Sequence, residues 1–472
     1  MIFMNTKKLS LFSSVAICVG LIVATSCLSS LGSGIGSLGR SFIIPMFVVM
    51  ILNMFVGISF AELNRLMPKA NGGTSQYLMA SFGSFTSITA NLAAYVVTMA
   101  LTMTAELSMC GIVLRNLFFP SIDARIISMI ILLVLFYVNW RGLDLFSKVQ
   151  DLVVILLIGS MFLLGVIGTL KLGSGQVITQ QSVPAVSGVS GCFQMASVAF
   201  WLFIGVEFVI PVAKDMKNPK RDVILAIAIG LALLFSVQSL LGNAMANYVD
   251  YAVLADDPTG TPHMTFATNM LGNVGKCWMG IITMLAAIST VNSMFAAPPR
   301  IMQGMAEDGN LPKIFYKENK NHVAFAGLTL MAVVTSGFII SNLAVSNGIA
   351  FVVLAASCLW LIDYIMIHAA VLVLRRRYPK AERNKYLVLG GIPQIVGIIG
   401  NIYMVYAIDV GESRILIYKI SAVILAVIIA YAIIWCKFVV KKPLFKPMPL
   451  ELINAEEEQD TISREDKLWE TL

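Results

Sequence analysis

Apolar runs of about twenty residues, separated by short polar or basic stretches, recur along almost the whole chain. They begin near Leu11, Ile43, Phe85, Ile126, Leu152, Cys192, Val223, Cys277, Ala324, Ile349, Tyr386 and Ile415. Such a run is what an α-helix needs to cross a hydrocarbon core about 30 Å thick. Where no water can satisfy backbone groups, only helices and closed barrels span. The pattern therefore predicts an all-α integral membrane protein with twelve transmembrane helices over residues 11–437, a short N-terminal segment 1–10 and an acidic tail 438–472. The first and third runs are long enough to be tilted or interrupted.

Charge orients the runs. With a cytoplasmic N-terminus, only Arg40, Arg115, Arg125, Lys171, Lys276, Arg414 and Lys419 of the 33 Lys and Arg residues fall in outer loops, leaving 26 inside. Lys and Arg accumulate on the cytoplasmic side, so both termini are expected there and the protein in the cell membrane, the inner membrane if the source is bacterial. Composition agrees: 58% of residues are hydrophobic and 12% charged, with mean hydropathy +0.84, against about 25% charged in soluble domains. The net charge of +7 and pI near 9.0 then reflect topology, and no nucleic-acid partner is called for. The densest basic cluster, Arg375–Lys385, reads as a flank against anionic membrane lipid, with a specific lipid site as the alternative.

Several classes are set aside. Lys7 and Lys8 before an apolar run, with IVATSC ending at Cys27, resemble a lipoprotein signal, but cleavage would remove half of the first run and leave an odd number of spans. The seven cysteines contain no CxxC pair and read as small core hydrophobes. No GxxxxGK[ST] loop and no large soluble module is present. No enzyme, cofactor or metal is therefore expected, and energy must come from a gradient or from exchange.

The most informative stretch is Phe200–Arg221, FWLFIGVEFVIPVAKDMKNPKR. It sets Gly205 and Glu207 in the middle of an apolar run that ends in Lys214, Lys217, Lys220 and Arg221. A glycine and an acid at mid-depth make sense mainly where a helix unwinds beside a polar cavity. The stretch resembles the sixth span of the amino acid–polyamine–organocation superfamily, in which an aromatic, Gly and Glu core precedes a basic Asn-Pro loop, here Phe203, Gly205, Glu207, Asn218 and Pro219. FAELNRLMPKANGGTSQY at Phe60–Tyr77 and NSMFAAPPRIMQGMAEDGNLPKIF at Asn292–Phe315 are similar to the same family in order and spacing. The resemblance implies a five-plus-five inverted repeat of the leucine-transporter (LeuT) type, about 11–170 and 191–374, two added spans at about 386–437, broken first and sixth helices, and an amino acid or amine as substrate. Phe-Trp-Leu-Phe-Ile-Gly-Val-Glu is similar to the basic amino acid and polyamine exchanger branch, but Met294 stands where arginine exchangers carry a Trp.

Two positions compete for the break in the first span. Gly32-Ser33-Gly34-Ile35-Gly36 looks like the family's bend, yet it lies toward the outer end of a run that starts near Leu11. Residues 24–28 lie at mid-depth, and the family interval counted back from Ala61-Glu62-Leu63 agrees. The break is therefore placed at Ala24–Ser29, with the glycines shaping the outer half-helix. A half-helix starting at mid-membrane presents free N–H groups and a positive dipole end to a carboxylate. Ala24, Thr25, Ser26, Cys27 and Ser29 are the candidates on this side. Carbonyls near Phe200, Phe203 and Ile204 would accept from the ammonium group, as the resemblance implies. Phe200, Trp201 and Phe203 could cover the ligand, or face lipid.

Glu207 is a candidate proton-sensitive gate or, alternatively, a structural hub; Glu106 is balanced between the same two roles. Asp363 and His368 do not share a helical face and read as interhelical bonds. Glu62 with Arg65, and Lys148 with Asp151, are spaced for local pairs. Leu157 stands where some proton-coupled relatives place a lysine, and Ser289, Thr290 and Ser293 leave a sodium site open. With Glu207 taken as the only acid near the site, a neutral or modestly polar amino acid is favoured over arginine. The whole reads as a secondary transporter of an amino acid, with a cationic amino acid/polyamine exchanger as the alternative.

Overall fold

The computed structural model describes residues 8–257, 260–341, 347–383, 389–409 and 411–454, with backbone alone for 347–352. The expected start at Tyr386 and the tail from Ala455 onward lie outside the described residues. Regular structure in the described residues is helical apart from one isolated bridge, Leu9 to Met216. In order the helices are α1 (Leu11–Ile22), α2 (Thr25–Leu38), α3 (Ile43–Leu66), α4 (Thr74–Phe82), α5 (Ser84–Asn91), α6 (Thr98–Leu117), α7 (Ala124–Trp140), α8 (Leu143–Thr169), α9 (Gly188–Gln194), α10 (Ala196–Phe200), α11 (Pro219–Tyr248), α12 (Tyr251–Ala255), α13 (Pro262–Glu307), α14 (Phe325–Ile340), α15 (Asn347–Arg377), α16 (Ile392–Tyr406), α17 (Gly411–Ile434) and α18 (Leu450–Ile453). A π-helical stretch, Leu92–Val97, joins α5 to α6, and a 3₁₀ segment, Val206–Asp215, follows α10.

Local chemistry explains the boundaries. Ser10 caps α1 by accepting from Ser13 N at 3.1 Å, and Pro219 and Pro262 open α11 and α13, where a missing N–H costs nothing. Asp250 caps α12, and hydrogen bonds from the Ser182 hydroxyl, then from the amides of Ser182 and Ala252, hold its carboxyl below the usual range. Eight helical stretches among the described residues are long and apolar enough to cross a membrane, beside the shorter apolar helices α1, α7 and α14. Apolar residues buried against each other line the interior, while the outer faces of α7, α8, α16 and α17 expose residues such as Leu133, Leu152, Ile399 and Val427, as lipid-facing helices do.

α1 lies between α11, α8 and α13, at the centre of the bundle. One end of the bundle is closed by polar contacts. Glu62 accepts from Arg375 in a bidentate pair, at 2.9 and 2.6 Å, and from Arg383 at 3.1 Å, while Arg65 pairs with Glu382. Asp151 accepts from Ser13 at 2.8 Å. The expected Glu62–Arg65 and Lys148–Asp151 pairs are thus replaced by longer-range partners: Arg375 of α15 reaches Glu62 in a bidentate fork with Arg383 adding one bond, and Ser13 reaches Asp151. Arg300 pairs with Asp215, and Lys214 donates to Asn71 Oδ1 at 2.7 Å. Leu9 N and Lys217 N exchange backbone bonds with Asp215 O and Leu9 O, at 2.8 and 3.1 Å.

The chain leaving α17 then doubles back beneath this end. Phe85 N donates to Leu444 O at 2.9 Å, Met448 N to Met79 O at 3.1 Å, Lys442 Nζ to Asp308 O at 2.6 Å, and Asn454 Nδ2 to Leu66 O at 2.9 Å. Residues 441–454 so form a strap across α3, α4 and the end of α13. Gly83 makes the crossing possible: its φ is +90°, and a Cβ there would sit 2.8 Å from the Lys446 backbone. Gly83→Ala is expected to lower stability by about 1–3 kcal/mol through backbone strain and to open the strap to protease. An unchanged unfolding temperature with an unchanged cleavage pattern would show that the strap is not held there.

Candidate functional site

Two helices are interrupted, and the interruptions face each other. α1 ends at Ile22 and α2 starts at Thr25; Val23 (φ −80°, ψ 79°) and Ala24 (φ −91°, ψ 169°) are non-helical between them. α10 ends at Phe200, and Gly205, at φ +109°, turns the chain into the 3₁₀ segment that carries Pro211. The segments pack together, α1 on the 3₁₀ segment and α2 on α10. A Cβ on Gly205 would meet Leu21 Cδ2 at 2.3 Å, so glycine serves both the left-handed conformation and the close approach.

Each break leaves backbone groups that cannot turn to water, and a buried unsatisfied group costs several kcal/mol. Side chains from other helices meet them. The Thr290 hydroxyl of α13 lies 3.1 Å from Leu21 O and 3.3 Å from Gly20 O. Glu106 of α6 accepts from Thr25 N at 2.8 Å and Ser26 N at 3.4 Å, and from their hydroxyls at 2.5 and 3.0 Å. At the second break Gln238 of α11 donates to Leu202 O at 3.0 Å, and Gly205 N donates to the Tyr364 oxygen at 3.2 Å.

Glu207 is buried in an aromatic cage. It accepts from Trp360 Nε1 at 2.6 Å and Tyr364 OH at 2.5 Å, with Tyr95 OH at 3.4 Å; Tyr95 OH also lies 3.0 Å from Asp363 Oδ2. Tyr95 reaches both carboxylates from the π-helical stretch, a feature frequent at functional sites. Phe208 and Phe200 pack edge-on or tilted against Trp360 and Tyr364, with ring centroids 6.0 and 6.4 Å apart. His368 bonds Ser59 at 2.9 Å, so Asp363 and His368 each serve a separate interhelical contact.

Of the residues read from the sequence, Ala24, Thr25 and Cys27 are buried at the first break, whereas Ser26 is exposed. Ser29 donates to Gly260 O at 2.8 Å. Phe200, Phe203 and Ile204 are buried and Trp201 is half-buried; the Phe200 carbonyl already accepts from Phe203 N and Ile204 N, both at 3.1 Å. Met294 is buried on α13, one turn from Thr290. Ser289 accepts from Gln150 at 2.9 Å, and Leu157 is buried. One expectation is corrected: Glu207 is not the only acid near the breaks, because Glu106 touches Thr25 and Ser26 directly. The glycine run lies inside α2, where added Cβ atoms at Gly32, Gly34 and Gly36 would meet Pro262, Phe42 and the backbone of Ala255. Its role is close packing.

Tyr95, Trp360, Tyr364 and Gln238 were not singled out from the sequence. The i, i+4 spacing of Trp360 and Tyr364 places both on one helix face and was the available signal; nothing in the local sequence announces the π-helical turn that presents Tyr95. A separate cavity of about 450 Å³ is lined by Arg40, Lys171, Thr179, Gln181, Asn247 and Tyr251, at the far end of α2 from the break.

Two interrupted helices packed at the centre of a helical bundle define a membrane-transporter architecture. The fold is shared with a manganese transporter from Eremococcus coleocola, solved in complex with an aromatic bis-isothiourea substituted compound: TM-score 0.60 at 14% identity, over 90% of this chain and 92% of that one. The amino acid permease family model matches residues 9–434, and the chain belongs to that family, whose members are transporters rather than enzymes. It is similar to the arginine/ornithine antiporter ArcD2 of Lactococcus lactis subsp. cremoris, 26% identical over 77% of this chain and 79% of that protein. It is also similar to the cadaverine/lysine antiporter of Escherichia coli strain K12, at 23% over 70% and 73%. A vacuolar cationic amino acid transporter of Arabidopsis thaliana is 28% identical over 40% of this chain, a match spanning 28% of that relative.

Two outcomes are expected from these contacts. Ser26→Phe, at an exposed position, should block ligand binding with little change in unfolding temperature, while Gly36→Ala, whose Cβ would lie 2.1 Å from Ala255 N, should destabilise the fold; the reverse pattern would return the glycines to the site. Glu207→Gln turns an amide NH₂ toward donors and should cost about 1–3 kcal/mol, read as a lower unfolding temperature. Wild-type stability in that variant would mean that the cage does not depend on the carboxylate.

Proposed function

We propose that this protein is a secondary transporter moving an amino acid or related amine across the cell membrane by alternating access. The facing helix breaks support this most directly: half-helix ends inside a bundle bring dipoles and polar backbone to the depth where a zwitterion or cation would be held, beside the single carboxylate of Glu106. In this reading twelve spans form a five-plus-five inverted repeat, about 11–170 and 191–374, with two added spans. Both termini are placed in the cytoplasm on the distribution of Lys and Arg. The site comprises Ala24, Thr25, Ser26, Cys27, Ser29, Phe200, Trp201, Phe203, Ile204, Gly205 and Met294, with Glu207 and Glu106 as gating groups. In this orientation the end closed by Glu62, Arg375 and Arg300 faces the cytoplasm.

A second reading, exchange of a cationic amino acid for an amine, is favoured by the similarity to a cadaverine/lysine antiporter and an arginine/ornithine antiporter. Purified protein in proteoliposomes should take up labelled amino acids or amines saturably. Uptake that requires internal substrate would select the exchanger, and uptake driven by a proton gradient into empty vesicles the coupled carrier. Unitary current steps in a planar bilayer, or binding without flux, would sink the transport mechanism.

A further inference from the structure

The first helix break creates one anion position, and the chain fills it itself. An N-terminal turn has four N–H groups without helical partners. Here Thr25 N and Ser26 N donate to the two oxygens of Glu106, at 2.8 and 3.4 Å, while Cys27 N and Leu28 N turn back to Ala24 O at 3.1 and 3.4 Å. The Thr25 and Ser26 hydroxyls add two more donors to the same carboxylate, at 2.5 and 3.0 Å. Those four donors match the roughly four lone-pair sites of a carboxylate. Glu106 is 2% exposed, and its hydrogen-bond donors are neutral. Its charge is met by the α2 N-terminus.

A ligand carboxylate entering this position finds the donors engaged and a like charge a few ångströms away, in surroundings where water screens poorly. An amine without a carboxylate needs none of these donors, and the acid attracts it. We infer that Glu106 is a tethered competitor for the ligand's α-carboxylate and sets the specificity of the site toward amines that lack one. This rests on the transport site proposed above. Glu106 so acts as a specificity-determining residue in addition to capping α2.

The test uses matched pairs that differ only by the α-carboxylate: putrescine with ornithine, cadaverine with lysine, and ethylamine with alanine. Affinities are measured on purified full-length protein for the wild type, Glu106→Ala and Glu106→Gln. Wild type should bind each amine about tenfold or more tighter than its amino acid, the size of about 1.4 kcal/mol. Glu106→Ala should move that ratio about tenfold toward the amino acid, and Glu106→Gln, which keeps an acceptor oxygen but not the charge, should move it less in the same direction. If Glu106→Ala does not fold, the Glu106→Gln ratio decides alone. Amino acids binding wild type as tightly as amines, or ratios unmoved by the substitutions, would overturn the competitor role while leaving the transport site standing. Failure of every pair to bind folded wild type would overturn the site itself.

Discussion

The structure depends on satisfying backbone groups where helices stop in the middle of an apolar bundle. A continuous helix answers this internally; an interrupted one must borrow partners. The first break borrows from α13 through Thr290 and from α6 through Glu106, the second from α11 through Gln238 and from α15 through Tyr364. Four different helices are therefore bound to two short unwound segments. This is why the breaks are rigidly placed despite lacking regular structure, and why the surrounding helices carry isolated polar residues at depths where polarity is otherwise costly.

The closed end has a comparable logic. The three stretches that resemble one family in sequence converge there in space. Asn71 and Gln76 of Phe60–Tyr77 contact Lys214 and Asp308, Arg300 of Asn292–Phe315 pairs with Asp215 of Phe200–Arg221, and a Cβ on Gly72 would press against Arg300 O at 2.5 Å. Resemblance spread over widely separated residues is thus one contact surface. Its positive-φ glycines let a loop lie flat against a helix end, which a side chain would prevent.

Much of this was legible from apolar periodicity. Helix starts at Leu11 and Ile43 coincide with the expected runs, since hydrophobicity over twenty residues is a strong, local signal. The first break, Val23–Ala24, meets the Ala24–Ser29 expected from depth only at Ala24, with Thr25–Ser29 already helical; Gly32 and Gly34 resemble a bend in sequence, yet their neighbours Pro262 and Phe42 show that they serve packing. What stayed hidden was partnership across sequence. Glu62 and Arg65 look like a local pair, and only the fold brings Arg375 and Arg383 within reach. Glu106 likewise has no neighbour in sequence to suggest that it caps Thr25.

The two buried glutamates differ in what holds them, and the difference bears on motion. Glu207 is gripped by Trp360 and Tyr364, large side chains of one helix that are themselves packed ring against ring. Moving the 3₁₀ segment past α15 means breaking both bonds together with the Gly205–Tyr364 bond, so the segment and α15 resist separation as a unit. Glu106 is held by small hydroxyls and two amides of a helix end, and one of those residues, Ser26, is exposed. The first break is therefore tied to a small, partly exposed helix end, and the second to a packed aromatic face of α15.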